Sequence, residues 1–477
     1  MAAQLDCAKL SDFVEGVWKE STVDTIAKYI EIPNQSPLFD PEWDTNGYQE
    51  QAVDLLVDWA KKQNVPDLSI EVVKLEGRTP LIFMEAPATK EGAGTVLLYG
   101  HMDKQPPLTD DWEPDLGPYK PVIRDGKLYG RGGADDGYAI FSCVTAIKGL
   151  KEQNVPHGRM VIIIEGCEES GSRDLPIYVD HLKDRIGTPS LVVCLDSGCG
   201  TYDQFWLTSS LRGIVVGELR VDILTEGIHS GYASGIAPDS FRILRDTLDK
   251  IENKETGEII CPGCEEGIPE ESRKMAEEAA EALGDTVWNV MPFVKGAGPL
   301  QTRSNADHLL SKTWRAALSI TGIEGLPTLE SAGNVLRPYT TATLSMRLPP
   351  NVDNKKASAA LKEALEADPP YNAKVTFKIN KAATGWMAPP LAPWLKDTIN
   401  NASKTFYDGK PFLVIGEGGS IPFMGMLHSK FPDAQFVIAG VLGPNSNAHG
   451  PNEFMHIQMS ANVTKCVAFV LSEHANQ

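Results

Sequence analysis

The sequence predicts an α/β protein carrying a second, inserted α+β domain, and three observations support that reading. From Leu68 onward, short apolar runs alternate with helical stretches: LSIEVVKL, PLIFMEA, TVLLYG, MVIIIEG and SLVVCLD. Strands this uniformly apolar are covered on both faces, which points to a sheet that is at least partly parallel. After Tyr202 the texture changes to long alternating strands, and from about Trp386 the first texture returns. At 477 residues the chain is also too long for one ordinary domain.

The elements follow in order. Phe13, Val14, Val17, Trp18, Ile26, Ala27 and Ile30 recur at three- and four-residue steps and predict a helical start. Ala52, Leu55, Leu56 and Trp59 predict a second helix from Gln49 to Gln63. The apolar strands come next, with a helix from Tyr138 to Lys151 between two of them. FWLTSSLRGIVVGELRVDIL, TWRAALSITGI, TTATLSMRL and AKVTFKI read as strands. PDSFRILRDTLDKI and NKKASAALKEALEA read as amphipathic helices, and strands with two helices on one face make a ferredoxin-like sandwich. Ile268 to Gly284 reads as an exposed, charged helix. LAPWLKDTINNASKTF, QFVIAG and a helix from His456 to Ser472 complete the first domain. The boundaries are therefore 1–209 and 385–477 for a discontinuous α/β domain, and 210–384 for the insertion.

Composition narrows the partners. A net charge of −20 repels nucleic acid and anionic membranes alike, so neither is an expected partner. No stretch approaches the ~20 apolar residues of a membrane span. The opening MAAQLDCAKLSDFVEG lacks a basic segment followed by an apolar one, and the expectation is a cytoplasmic protein with reduced thiols. Cys261 and Cys264 form a C-x-x-C, but a structural zinc site needs further ligands and none is nearby.

Five polar stretches each follow an apolar run or a turn: VLLYGHMD, GRGGADDG, IIIEGCEESGS, VVCLDSG and SNAHGPNE. They offer His101, Asp135, Glu169, Asp196 and His449 as ligands, with Glu168 left over beside them. Nitrogen and oxygen donors in this mixture suit two divalent ions, and a spare carboxylate suits a base acting on water. Asp103 lies two residues from His101, where a carboxylate can accept the second ring N–H and fix the tautomer. Each motif has a plainer reading. His-x-Asp also serves as a local turn, one of Asp135 and Asp136 can cap the following helix, and Glu168–Glu169 can be a solvated loop. Taken together, in this order, they are not coincidence.

The set GHMD, GRGGADDG, EGCEESGS, LDSG and AHGPNE resembles the M20 metallopeptidases, in particular their carnosinase-like and nonspecific-dipeptidase branch. The resemblance spans nearly the whole chain. It implies a zinc-peptidase-like catalytic domain with a lid and dimerisation insertion. It implies two Zn2+ ions (or Mn2+ or Co2+) bridged by Asp135, with His101 and Asp196 completing one site and Glu169 and His449 the other. Glu168 would be the base, Asp103 the orienter of His101, and the Asp135–Asp136 peptide would be cis. His229 would reach the active site of the partner in a homodimer and donate to the oxyanion, while Arg347, Gly419 and Ser420 would bind the substrate carboxylate. The implied reaction is hydrolysis of a dipeptide amide. An N-acyl-amino-acid deacylase or desuccinylase shares the same centre, and a non-catalytic scaffold of the same fold is a remoter alternative. Gly137–Tyr138, Tyr232, Lys104 and Gly450 depart from common family residues and bear on substrate choice rather than on the ligands.

Overall fold

The computed structural model describes residues 4–477. They divide into two compact units: the chain up to Thr208 with Ala388–Ile415 and Met426–Gln477, and Ser209–Met387 with Gly416–Gly425. The loop 416–425 thus groups with the second unit, whereas the pattern of apolar runs puts it with the first.

The first unit is built on a six-stranded sheet. Its strands lie side by side in the order Ser69–Val73, Leu81–Ala86, Arg159–Glu165, Thr95–His101, Pro189–Cys194 and Gln435–Ile438. The first two pairings are antiparallel and the last three parallel. The sheet is buried on both faces because its central strands carry no outward polar residue; all of Met160–Ile164 and Val96–Tyr99 are buried. The helix Ala139–Glu152 packs against the closing helix Ile457–His474 and is buried along almost its whole length. That burial suits its sequence, which has few polar positions, and it makes the helix a rigid support for the turn before it. The N-terminal helical segment runs from Cys7 to Ile30 with one wider turn at Trp18–Thr22, capped by the Asp6 side chain.

Three neighbouring parallel strands run in register, with His101 opposite Glu165 and Tyr99 opposite Cys194. Their carboxyl ends therefore open on one edge of the sheet, where open α/β sheets bind ligands.

The second unit is an antiparallel four-stranded sheet in the order Ala317–Glu324, Tyr339–Leu348, Gly213–Asp222, Lys374–Ala383. Alternate residues of Gly213–Asp222 and Tyr339–Leu348 are buried, the period expected of a sheet covered on one face. Ile243 and Leu244 of the helix Ser240–Leu248, with Ala357, Leu361 and Leu365 of Asn354–Glu366, join those strand residues in one core. Asp239 and Asp353 cap the two helices by accepting backbone N–H bonds. This is the ferredoxin-like sandwich. Glu270–Leu283 is the charged helix expected there, and it buries Ala276, Ala279 and Ala280.

Candidate metal centre

The strand Thr95–His101 ends on the first candidate ligand. Gly100 lets the chain carrying Asp136 and Ala139 come close, since a Cβ there would lie 2.5 Å from the Ala139 Cβ and 2.7 Å from Asp136 Oδ2. That carboxylate oxygen accepts the His101 amide N–H at 3.1 Å. Just past the strand, the Met102 carbonyl accepts hydrogen bonds from the Tyr29 hydroxyl (2.5 Å) and the Asn34 amide (2.6 Å). The His101 backbone is thus held from both sides.

Asp103 is fully buried. Its Oδ1 lies 3.4 Å from His101 Nδ1, and its own carbonyl oxygen lies 3.2 Å from the same nitrogen. With two acceptors beside it Nδ1 carries the ring proton, so Nε2 presents a lone pair. The Asp103 carboxylate also accepts the amide N–H groups of Glu168 and Glu169, each at 3.0 Å. The sequence pattern places Glu168 and Glu169 at a strand end with alternating side chains. The strand stops at Glu165 instead, and Glu168–Ser170 form one 3₁₀ turn hung on Asp103.

Asp135 sits in the glycine-rich turn before Ala139, and its peptide to Asp136 is cis. Gly132 has φ +83°, and a Cβ there would strike the Lys104 side chain at 2.6 Å, so the turn needs glycine at that position. Asp196 follows Pro189–Cys194 and is buried. His449 comes from an irregular loop, has φ +64°, and keeps 56% of its side chain exposed.

These residues meet in two groups that share Asp135. His101, Asp135 and Asp196 form one and Asp135, Glu169 and His449 the other; within each, the donor atoms lie within 4.8 Å of one another. His101 Nε2 is 3.3 Å from Asp135 Oδ1 and 3.8 Å from Asp196 Oδ1. His449 Nε2 is 2.9 Å from Asp135 Oδ2 and 3.5 Å from Glu169 Oε2. His101 Nε2, Asp135 Oδ2 and Glu169 Oε1 are buried without forming a hydrogen bond.

The electrostatics carry the same message. Burial, reinforced by Asp196, pushes Glu168 well above the usual carboxylate range, and burial with Asp135 does the same to Glu169. Asp196 is pushed up to about 6, chiefly by burial. Burial would also raise Asp135, but His101 and His449 outweigh it and hold its carboxyl low. So many buried carboxylates repel one another unless cations lie among them. Buried donor atoms that form no hydrogen bond, converging in two groups of mixed nitrogen and oxygen donors, fit divalent metal ions.

The remaining candidates belong to the second unit. His229 ends the two-residue strand Ile228–His229 paired with Val335–Leu336, and it is exposed. Arg347 lies in Tyr339–Leu348, and its Nη1 donates to Ser420 Oγ at 3.2 Å. Ser420 Oγ donates to the Arg212 carbonyl, and the Gly419 carbonyl accepts the Arg212 amide at 3.0 Å. The Arg212 guanidinium, lowered to about 10 by burial and by Arg347, donates to the Gly418 carbonyl.

Reasoning from the sequence did not assign Arg212, which lies inside the stretch FWLTSSLRGIVVGELRVDIL. It also missed Gln105, whose amide donates to Glu169 Oε2 at 2.5 Å, and the buried pair Arg131–Glu453. Both members of that pair stand inside quoted motifs, GRGGADDG and AHGPNE, so proximity to ligands was the available signal. Cys261 and Cys264 are buried in the core of the second unit, and among the described residues no candidate metal group includes them. No described helix is long and apolar enough to cross a membrane.

Comparison with known proteins finds dipeptidases among the similar chains. The cysteinylglycine-S-conjugate dipeptidase of Corynebacterium striatum is 27% identical over 381 residues, covering 77% of this chain and 80% of that protein. The Cys-Gly metallodipeptidase DUG1 of Saccharomyces cerevisiae is 26% identical over 433 residues, covering 86% and 84%. The solved structure of human carnosine dipeptidase 1 shares the fold, with a TM-score of 0.75 at 22% identity over the full length of both chains. The model of peptidase family M20/M25/M40 matches residues 97–473, and the chain therefore belongs to that family.

Proposed function

We propose that the protein is a dinuclear metallodipeptidase that hydrolyses the amide bond of small peptides with a free carboxylate. One observation carries this reading: two donor groups share Asp135, and three of their buried donor atoms form no hydrogen bond. His101, Asp135 and Asp196 would hold one ion, and Asp135, Glu169 and His449 the other. Zinc is the ion that this donor set suits best, with manganese or cobalt able to replace it. When bound, the ions would polarise the scissile carbonyl and lower the pKa of the attacking water.

The chain's own groups supply the rest. Glu168 takes the proton of the water and returns it to the leaving amine. Asp103 sets the backbone of Glu168 and the tautomer of His101 at once. Arg347 grips the substrate carboxylate with its planar fork, in a loop completed by Gly419 and Ser420. His229 donates to the developing oxyanion of the partner subunit's substrate in a homodimer. Relatives named for Cys-Gly and cysteinylglycine-conjugate cleavage support a dipeptide substrate.

The test is a panel of dipeptides and N-acyl amino acids offered to metal-stripped protein reloaded with zinc, manganese or cobalt. Turnover of dipeptides is expected, and only after reloading. Turnover of N-acyl amino acids alone would replace this reading with a deacylase. No turnover despite full metal loading would leave a scaffold. Replacing His229 by Asn is expected to lower kcat by about a hundredfold to a thousandfold, the size of a lost oxyanion donor. Metal content measured on the same sample should stay unchanged; a loss of metal would instead place His229 among the ligands.

A further inference from the structure

We propose that Arg131 and Glu453 form a buried latch that positions His449, and so sets how tightly the Asp135–Glu169–His449 group holds its ion. The proposal rests on the metal reading above. The loop that carries His449 has left-handed backbone at Asn445, Asn447, His449 and Asn452, with φ of 62°, 54°, 64° and 59°. Such a loop is not fixed by helix or sheet hydrogen bonding, and the His449 side chain is more than half exposed. Its backbone, in contrast, is gripped from below. The Arg131 side chain is 1% exposed, and its Nη2 donates to the carbonyls of Gly450 (2.8 Å) and His449 (3.3 Å).

The same guanidinium is linked through Glu453 to the turn that carries Asp135. Its Nη1 donates to Glu453 Oε2 at 2.6 Å and its Nε to the Pro106 carbonyl at 3.1 Å. The second Glu453 oxygen accepts the Gly132 amide at 2.9 Å, and the Glu453 carbonyl accepts the Gly130 amide at 3.0 Å. Gly130 and Gly132 open the turn that presents Asp135. One arginine and one glutamate therefore tie the backbone of His449 to the start of the turn that presents the shared ligand. Only a planar fork with several donors can make these contacts together; a lysine ammonium cannot span them.

Positioning, rather than stability, is the expected contribution. A buried ion pair replaced by apolar side chains of similar volume is often neutral for folding, whereas removing one partner strands a charge. Arg131 and Glu453 touch no reacting atom in this account, so they are positioning residues.

The test compares wild type, Arg131→Lys and the charge-free double variant Arg131→Met/Glu453→Met. Ions retained per chain are measured by mass spectrometry after equilibration with graded chelator, together with the melting temperature of each metal-free protein. Wild type is expected to hold two ions. Both variants are expected to release one of them at about tenfold to hundredfold lower chelator, the usual effect of losing a partner behind a ligand. The second ion should be held as in wild type. The metal-free melt of the double variant should fall by only a few degrees, because the Gly132 amide and the Gly450, His449 and Pro106 carbonyls lose these partners. A double variant that holds both ions as tightly as wild type overturns the latch while leaving the metal reading intact. So does simultaneous loss of both ions with a metal-free melt lowered by much more than that, which would mark a structural role. A wild-type chain that takes up no divalent ion overturns the metal reading, and the latch with it.

Discussion

Replacing Glu168 by Gln is expected to lower kcat by about a hundredfold to ten-thousandfold, the range for loss of a positioned general base. The substitution leaves the shape of the site intact. Asp103 holds residue 168 through its backbone amide at 3.0 Å, and that bond does not involve the side chain. Glu168 belongs to neither candidate ligand group, so the metal content measured alongside should equal that of wild type. What changes is proton transfer: a carboxamide has no basic oxygen to take a proton from water at neutral pH. Steady-state kinetics on a dipeptide would check this, with metal analysis on the same preparation. A variant turning over near the wild-type rate would remove Glu168 from its role, and one that loses metal would make it a ligand.

Replacing Asp135 by Ala is expected to have the broadest effect, because both donor groups use this residue. Its Oδ1 faces His101 and its Oδ2 faces His449, at 3.3 and 2.9 Å. Without it each group keeps two ligands, and the charge that binds the cations falls as well. We expect no divalent ion to survive gel filtration and no measurable turnover. Asp196→Ala removes a ligand from one group alone, and should leave one ion bound per chain. If the Asp135 variant kept both ions, a shared ligand would be ruled out.

Much of this was legible in the sequence because the signal was local. Five apolar runs marked strands, and the polar residues after three of them marked one edge of a sheet whose parallel register brings His101, Glu168–Glu169 and Asp196 together. The alternating strands and two capped helices of the insertion were equally readable, since period and capping are properties of neighbouring residues. What escaped was set by distant contacts. Asp103 reads as a companion to His101, yet it also supports the Glu168–Glu169 turn across 65 residues. Arg131 and Glu453 are 322 residues apart, and no periodicity links them. Lys104 looked like a departure that concerned the substrate. It is fully buried instead, and its ammonium donates to the carbonyls of Tyr29 and Ile32, each at 2.6 Å. That contact satisfies the carbonyl end of an N-terminal helix, a backbone need that no motif announces.

The order in which the sheet is assembled has a consequence for synthesis. Five of its six strands lie before residue 195, but the last, Gln435–Ile438, is made only after the entire second unit. Until then Pro189–Cys194 is an unpaired parallel edge, almost wholly apolar, of the kind that recruits strands from other chains. His449 arrives later still. A nascent chain on the ribosome can therefore gather His101, Asp135 and Asp196 long before the second ligand group is complete. Chaperone demand should peak in that interval, and chains stalled within the insertion would aggregate through this edge.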